Sequence, residues 1–348
     1  MNCPVQGWQG YIGFGTQTVD LKTSANPTHF QEIQPDEGLQ ETESDKAVIS
    51  GGIRGSQDLV STRRGKRSVE GSSGSGNLYP DDFYQSKIWA CLLGNNQTVA
   101  GSSIVGYTHE FLEPVNESET PQFGQTIEVL RGSEATLSVA NQNLWKYLGC
   151  FISGLSLTMP ENDLTSISPE WLGIKELYNE TPNVAPTFSA LSPFESWQTK
   201  IKIGATLGSA TDINYVDATF TADPKLKLTV DGGSRYPACR VFGKPEYAIS
   251  LNQLSTDMLS SGLYGDWKNE NQLSMIIELT HDQLAGSGSG FYSVKIELPR
   301  VSIIGDTPNL SAIEDFPHAI NFIALTDLVL GYKIKVTTVD SIDGVYAV

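Results

Sequence analysis

The chain of 348 residues has 39% hydrophobic residues, enough for a sizeable core, but only 18% charged residues and as many as 33 glycines, a turn-rich composition that favours β structure. Forty acidic against 23 basic residues give a formal net charge of -17, which argues against binding nucleic acid through clustered positive charge. No apolar run approaches the roughly 18 residues of a membrane span, and the first residues lack the features of a secretion signal, so we expect neither a membrane span nor export.

Charge is unevenly distributed over the first part of the chain. Residues 1–28 are predicted to form an N-terminal arm, and the stretch 29–45 contains acidic side chains but no Lys or Arg. A Gly/Ser-rich context then holds five basic residues: Arg54, Arg63, Arg64, Lys66 and Arg67. A third interpretation, nuclear localisation or nucleic-acid binding by residues 63–67, is disfavoured because five positive charges in a chain of net charge -17 would hold DNA poorly. Two interpretations are favoured over it. The basic residues form an exposed, solvated hairpin loop, or the loop of one subunit meets an acidic face of the next, where complementary charge sets register and partner choice.

One amphipathic helix is predicted over residues 80–93. Pro80 and the two aspartates after it favour a helix start. Apolar residues then recur on one stripe from Tyr84 to Leu92, and Gly94 supplies the stop. The polar stretch 95–131 contains few strand-forming residues and two prolines, and we interpret it as an exposed loop insertion.

Alternation of apolar and polar residues with a period of two dominates the chain and predicts strands with one buried and one solvated side. In the first half a Gly/Ser-rich strand region covers 46–78, and further strands are predicted at 134–140 and 147–159. In the second half they lie at 200–203, 216–231, 239–250, 273–280, 291–304 and 331–339, with a second short helix near 251–261. Antiparallel sheets of this kind pack as a sandwich or curl into part of a barrel.

The order of predicted elements repeats along the chain. We therefore predict a mainly β fold of two tandem tube-like units, each a β-sandwich or partial barrel with a short bracing helix. The first unit covers 29–178 with the loop insertion 95–131, a proline-containing linker covers 179–195, and the second unit covers 196–348.

Residue types that carry catalysis or bind metals are scattered. The four cysteines and four histidines show neither Cys-x-x-Cys nor zinc-finger spacing, and the cysteines are interpreted as free thiols. The Ser/Gly stretches at 71–76 and 286–290 lack the Gly-x-Ser-x-Gly of a nucleophile elbow. We predict no enzymatic activity, no catalytic residues, no cofactor and no metal site.

A series of strand and turn patterns recurs in order over most of the chain. It comprises Tyr-Ile-Gly-Phe-Gly-Thr-Gln-Thr at 11–18, Gly-Gly-Ile-Arg-Gly at 51–55, Glu-Gly-Ser at 70–72 leading into the helix, Phe-Tyr-Ser-Val-Lys-Ile-Glu-Leu-Pro-Arg-Val at 291–301, Phe-Ile-Ala-Leu-Thr-Asp at 322–327 and a last strand at 331–339. In this order the patterns resemble the tail tube proteins of tailed bacteriophages, particularly the longer members. The stretch 95–131 departs from the compact pattern of that family.

The resemblance implies a structural virion protein whose β-sandwich units assemble into rings. The inner strands of a ring would close one barrel, and stacked rings would form the conduit through which DNA leaves the capsid. Single-domain members form rings of six, so a duplicated chain implies homotrimeric, pseudo-hexameric rings, with homohexameric rings as the alternative. The five basic residues from Arg54 to Arg67 then become candidates for contacts between rings.

The resemblance also implies partners and a location. The partners would be other copies of the chain, the tape measure, terminator and tip or baseplate proteins, and passing double-stranded DNA that is not bound specifically. The protein would be made in the host cytoplasm and would reside in the tail of the virion.

Two other classes of function are weighed against this one. A β-sandwich surface or receptor-binding module of a virion or cell should cluster aromatic residues on one set of loops, whereas the six tryptophans lie far apart in sequence. A hydrolase on a β-sandwich would need an acid–base pair or an activated nucleophile, and the sequence shows neither pattern.

Overall fold

A computed structural model describes residues 10–17, 21–32, 38–43, 47–50, 59–63, 66–80, 86–94, 97–115, 120, 124–130, 144–178, 180, 186, 188, 191–230, 234–254, 257, 262–305 and 317–344. The strands within these ranges are β1 Tyr11–Thr16, β2 His29–Glu32, β3 Gly38–Glu43, β4 Ala47–Ser50, β5 Leu59–Arg63, β6 Arg67–Ser72, β7 Gly76–Asn77, β8 Gln97–Ser102, β9 Gly106–Leu112, β10 Gln125–Leu130, β11 Leu144–Pro160, β12 Ser166–Gly173, β13 Lys175–Tyr178, β14 Thr199–Gly204, β15 Thr211–Asp212, β16 Asp217–Asp223, β17 Lys227–Thr229, β18 Cys239–Val241, β19 Glu246–Leu254, β20 Gln272–Leu284, β21 Phe291–Ile304, β22 Pro317–Ala324 and β23 Lys335–Asp340. Within these ranges the α-helices with described bounds are α1 Ile88–Leu93 and α2 Leu263–Lys268, Asp257 is also helical, and short 3-10 helices lie at Ser196–Gln198 and Leu207–Ser209.

The strands form three connected antiparallel sheets and two separate hairpins. The long sheet has the order β3-β6-β12-β11-β16-β19-β22. The second sheet has the order β8-β9-β23-β21-β20-β14, with β15 on β14. The small sheet has the order β2-β1-β10-β11-β13, and β4–β5 and β17–β18 pair separately.

Two long strands connect these sheets by changing partners along their length. The first half of β11 pairs with β10 and β13, and the second half pairs with β12 and β16. The change occurs near Gly149, whose φ of 61° is a left-handed conformation that favours glycine. Likewise, β21 pairs with β23 up to Glu297 and with β22 from Val301 onward. Pro299 lies between these two segments, and its missing N–H fits a gap in the ladder.

The core lies between the inward sides of the long and second sheets, which contribute to one cluster of buried side chains. All six residues of α1 are buried in this cluster. The Trp89 ring of α1 is 6.3 Å from the ring of Phe220 in β16, and Phe220 stacks on Tyr247 of β19 at 6.5 Å. The prediction of a mainly β fold with short bracing helices is confirmed. None of the helices in the described part of the chain has the length and apolarity of a membrane-spanning segment.

Several predicted elements need correction. The interpretation of 95–131 as a loop is wrong, because β8, β9 and β10 lie within it and all six residues of β10 are buried. The helix predicted near 251–261 begins too early, because residues 251–254 are strand, whereas Asp257 is helical. Leu251 and Leu254 belong to β19, paired with β16 and β22, and the helix α2 begins at Leu263. The strand predicted at 134–140 lies outside the described residues.

The predicted strands at 147–159, 200–203, 273–280 and 291–304 are confirmed as β11, β14, β20 and β21. The last strand begins at Lys335 rather than at residue 331, and each of the segments 216–231 and 239–250 contains parts of two strands. The helix α1 ends at Gly94 as expected. The two predicted units do not form separate sheets, because β11 pairs with β16 and β9 pairs with β23. The unit boundaries and the duplication stay predictions.

Candidate functional site

The outward side of the long sheet is lined by small polar side chains. In β11 the buried Leu155, Leu157 and Met159 alternate with Ser156 and Thr158, which lie on the solvent side. The pairing register places similar residues beside them on every neighbouring strand. We call this surface the wall face, and its small and polar residues on β12, β11, β16, β19 and β22 are Ser166, Ser168, Glu170, Gly154, Ser156, Thr158, Asp217, Thr219, Thr221, Asp223, Glu246, Ala248, Ser250, Asn252, Ala319 and Asn321. Half-buried apolar residues lie on the same side near the strand ends, namely Pro160, Leu172, Leu254 and Ile323.

The middle of the wall face is an uninterrupted row of uncharged hydrogen-bonding groups. Direct cross-strand partners run in the order Ser166, Thr158, Thr219, Ser250 and Asn321. Since neighbouring strands lie about 4.8 Å apart, the row is roughly 19 Å across. A short hydroxyl or amide side chain can form hydrogen bonds, but it carries no charge and little apolar surface. The row therefore forms a flat polar surface without a strong binding group.

The charges of the wall face are carboxylates. Within its described residues these are Glu170, Asp217, Asp223 and Glu246, and none of the wall-face positions holds Lys, Arg or His. Asp217 Oδ1 accepts a 2.6 Å hydrogen bond from Asn252. At one rim Lys225, which follows β16, lies 2.7 Å from both Asp223 and Glu246. Hydrogen bonds to these two carboxylates raise the pKa of Lys225 to about 12, so it stays charged and offsets that pair.

The outward side of the second sheet is different, because its charges alternate in sign. We call it the ladder face, and its residues are Lys202, Glu278, Lys295, Glu297, Lys335 and Glu110. Lys202 Nζ lies 2.6 Å from Glu278, and Glu297 lies 2.8 Å from Lys295 and 2.9 Å from Lys335. Partial burial opposes ionisation of Glu297, but hydrogen bonds from the two lysines prevail and lower its pKa. The ladder face therefore satisfies its own charges.

We call the strand pairs β3–β6 and β4–β5 the extended hairpin, and three of the basic residues singled out in the sequence, Arg63, Lys66 and Arg67, lie on or directly beside these strands. Arg63 ends β5 opposite Ala47, and Lys66 is exposed. Arg67 lies 2.5 Å from Glu41 across the hairpin and donates its backbone N–H to the carbonyl of Arg235. Arg67 therefore fastens the hairpin to the rest of the chain. Arg54 and Arg64 lie outside the described residues.

Two clusters of buried polar side chains join distant parts of the chain. Asp340 of β23 accepts a hydrogen bond from Ser86 and lies 2.9 Å from His109 of β9. All three side chains are fully buried, and the serine and the histidine both contact the aspartate. A triad would instead need the histidine between an accessible serine and the aspartate. In the small sheet, Tyr11 and Lys146 contact Glu128 at 2.6 and 3.4 Å. These clusters hold strands together.

Among the described residues, thiols and metal-binding groups add no further site. Cys91 and Cys150 are buried free thiols whose burial raises their pKa, for Cys91 to about 12, and Cys239 is an exposed free thiol. The described ranges contain no group of three or more His, Cys, Asp or Glu side chains that could hold a metal ion.

The wall face was not recognised from the sequence, although the signal was present. Its Ser, Thr and Asn residues are the polar half of each alternating strand, and their type was visible there. The sequence did not show that five such strands lie side by side with their polar residues on the same surface. The members of the row come from positions that extend from Thr158 to Asn321 in the chain, so spacing alone cannot align them.

These features define a structural β protein that presents broad sheet surfaces. A family model described as phage tail tube protein matches residues 7–306, and the chain belongs to this family. Family membership makes it a structural component of the phage tail that assembles with copies of itself and with other tail proteins. No curated protein matches the chain.

Proposed function

We propose that the chain forms stacked rings of a phage tail tube and that the wall face lines the channel through which DNA leaves the capsid. The observation that carries the proposal is the composition of the wall face. Its described positions hold small uncharged side chains and carboxylates, and none of them holds a cationic side chain. DNA binds proteins mainly by releasing counterions where Lys or Arg neutralises its phosphates. A wall without such cations and with net negative charge lets DNA pass without holding it.

The open edge of the long sheet supports ring closure. In the described part of the chain, β3 pairs with β6 on one edge and has no second partner strand. An open edge invites pairing with another chain, and closing a barrel across subunits removes it. With two tube-like units per chain, three chains complete a pseudo-hexameric ring, whereas six chains would be needed if each contributes one unit.

The remaining parts of the proposal concern partners and setting. The rings meet the tape measure, terminator and tip or baseplate proteins of the tail, and the chain is made in the host cytoplasm without enzymatic activity. A receptor-binding module has less support. Its expected cluster of exposed aromatics is not seen among the described tryptophans, of which Trp197 alone is largely exposed, at 66%, while Trp89 and Trp171 are in the core.

Negative-stain electron microscopy of the purified protein over a concentration series tests the assembly. We expect rings or hollow tubes, and their rotational symmetry distinguishes three from six chains. Small particles without a channel at every concentration would contradict the proposal.

We further propose that the extended hairpin contacts the next ring through its basic residues. Arg63→Glu combined with Arg64→Glu should impair stacking, because it replaces charges that complement an acidic surface. The matched control is Lys200→Glu with Lys244→Glu, the same charge change at two exposed lysines elsewhere. Tube growth is followed by light scattering and microscopy. Unchanged growth of the arginine variant, or equal loss in the control, would remove this role.

A further inference from the structure

Three large aliphatic side chains project into solvent from one turn. Leu328, Val329 and Leu330 lie between β22 and β23 and are 85%, 93% and 49% exposed. We call them the apolar turn. Scattered exposed apolar residues are ordinary, but three in succession at such exposure mark an interaction surface.

The apolar turn is held in one conformation by hydrogen bonds around Asp327. The backbone N–H groups of Val329 and Leu330 both donate to Asp327 Oδ1 at 2.8 Å, which lowers the pKa of Asp327. The N–H of Gly331, at φ 81°, donates to the Asp327 carbonyl. Arg300 of β21 donates to the carbonyl of Thr326 at 3.4 Å. A turn that is ordered before it meets a partner loses little conformational entropy on docking.

A second exposed apolar group lies at the opposite end of the same sheet. Ile104 and Val105 in the β8–β9 turn are 58% and 44% exposed, and the cross-strand pair Leu284 and Phe291 is 43% and 44% exposed. We call these four residues the apolar tip. The two turns that carry them are joined by hydrogen bonds, including one of 2.8 Å from the Gly288 N–H to the Ile104 carbonyl. These hydrogen bonds hold the two turns of the apolar tip together, as those around Asp327 hold the apolar turn.

The two surfaces face away from each other along β21. Phe291 begins this strand at the apolar tip, and Arg300 contacts the base of the apolar turn nine residues later. At about 3.3 Å per residue the separation is roughly 30 Å. Both margins also carry charge. Arg300 lies at the turn beside Asp327, whose carboxylate accepts the backbone N–H groups of the turn itself, and Asp282, with a side chain 65% exposed, lies beside the tip, so that Arg300 of one copy can meet Asp282 of the next. One chain thus carries both halves of a head-to-tail contact.

We propose that the apolar turn of one chain docks on the apolar tip of a second copy in the neighbouring ring. The inference rests on the proposed tube function and identifies a stacking contact within it. Unlike patches at opposite ends of one chain make a heterologous contact, which repeats without closing and so builds a filament of rings. Each contact is small, but a ring makes it several times at once, and this multivalency gives the stack its affinity.

The test uses the full-length chain and a charge exchange. Val329→Asp and Ile104→Lys are each expected to raise the concentration needed for tube growth by about a hundredfold, while rings still form. The chain with both substitutions should stack again, because the introduced aspartate of one copy would face the introduced lysine of the next. The control is Val241→Asp, an aspartate at a residue 52% exposed outside both surfaces. Thermal unfolding by circular dichroism checks that each variant folds.

A cross-link supplies the second measurement. In a background with Cys3→Ser and Cys239→Ser, Leu328→Cys together with Ile104→Cys should give ladders of disulfide-linked chains when assembled tubes are treated with a mild oxidant such as diamide, and either cysteine alone should not. Normal stacking of the single-charge variants, or tubes without cross-links, would overturn the contact and leave the tube function standing. A wild-type chain that forms neither rings nor tubes at any concentration would overturn the tube function itself, and the contact with it.

Discussion

The wall face and the ladder face are outward sides of two sheets that share one core, yet they use their polar residues differently. On the ladder face Lys202, Glu278 and Glu297 belong to ion pairs within 2.9 Å. On the wall face the outward positions hold mainly hydroxyl and amide side chains, and the charged side chains among them are carboxylates. The comparison shows that the alternation of apolar and polar residues determines which side of a strand is buried. It does not determine which polar residues lie on the outward side, so those positions can serve function.

The largest effect on stability is expected from a substitution on the buried side of a wall-face strand. Phe220→Ala removes a ring that packs between Trp89 and Tyr247 and should lower the free energy of unfolding by about 3–5 kcal/mol. The adjacent Thr219→Ala, on the wall face, should change it by less than about 1 kcal/mol. Urea unfolding of both variants measures the difference. Comparable losses would mean that the two sides of β16 are not inward and outward as described.

The next effect concerns DNA ejection and compares two pairs of positions, one on the wall face and one on the outward side of the second sheet. Thr219 and Ser250 are cross-strand partners on the wall face, and Thr280 and Ser293 are cross-strand partners on the outward side of the second sheet. Lysines at the first pair should slow DNA ejection by phage carrying the variant by about tenfold or more, because each ring would present phosphate-binding cations to the DNA. Lysines at the second pair should have little effect. Equal ejection by both double variants would exclude the wall face from the channel.

The smallest effect distinguishes the two faces by pH. The pKa of Glu297 is lowered in the folded state, so its stabilising contribution is present above its ordinary pKa and is lost as pH falls through the lowered value. Glu297→Gln should cost on the order of 1 kcal/mol at pH 7, limited by solvent screening, and almost nothing at about pH 2. Glu170→Gln on the wall face should cost little at either pH. Urea midpoints at both pH values measure this, and a cost that is independent of pH would contradict it.

The strands that were predicted correctly share a simple environment. Around Leu157 and Ile296 every second residue enters the core and the others meet solvent, so a period of two is visible in the sequence. The strands inside 95–131 were missed because they bury polar residues that distant partners satisfy. Glu128 is matched by Tyr11 and Lys146, and His109 by Asp340. No local pattern records such compensation.

The error at 251–254 has a related origin. Leu251 and Leu254 fit a helical spacing, but hydrogen bonding to β16 and β22 on both sides makes this segment a strand and turns Leu251 into the core. Pairing with two neighbours outweighs a weak amphipathic pattern. The same limit applies to the candidate surfaces, since the apolar turn and the apolar tip are each a few ordinary aliphatic residues until the fold places them at opposite ends of one strand.

By itself the sequence determined the mainly β class, the inward half of most strands, the end of α1 at Gly94 and the resemblance to tail tube proteins, because these depend on local periodicity, turn residues and the order of patterns along the chain. Only the tertiary structure decided that serines, threonines and asparagines from five strands meet on the wall face and that the ladder face neutralises its own charges. The physical reason is that strand pairing is non-local. Which side chains become neighbours depends on partners that lie up to hundreds of residues apart.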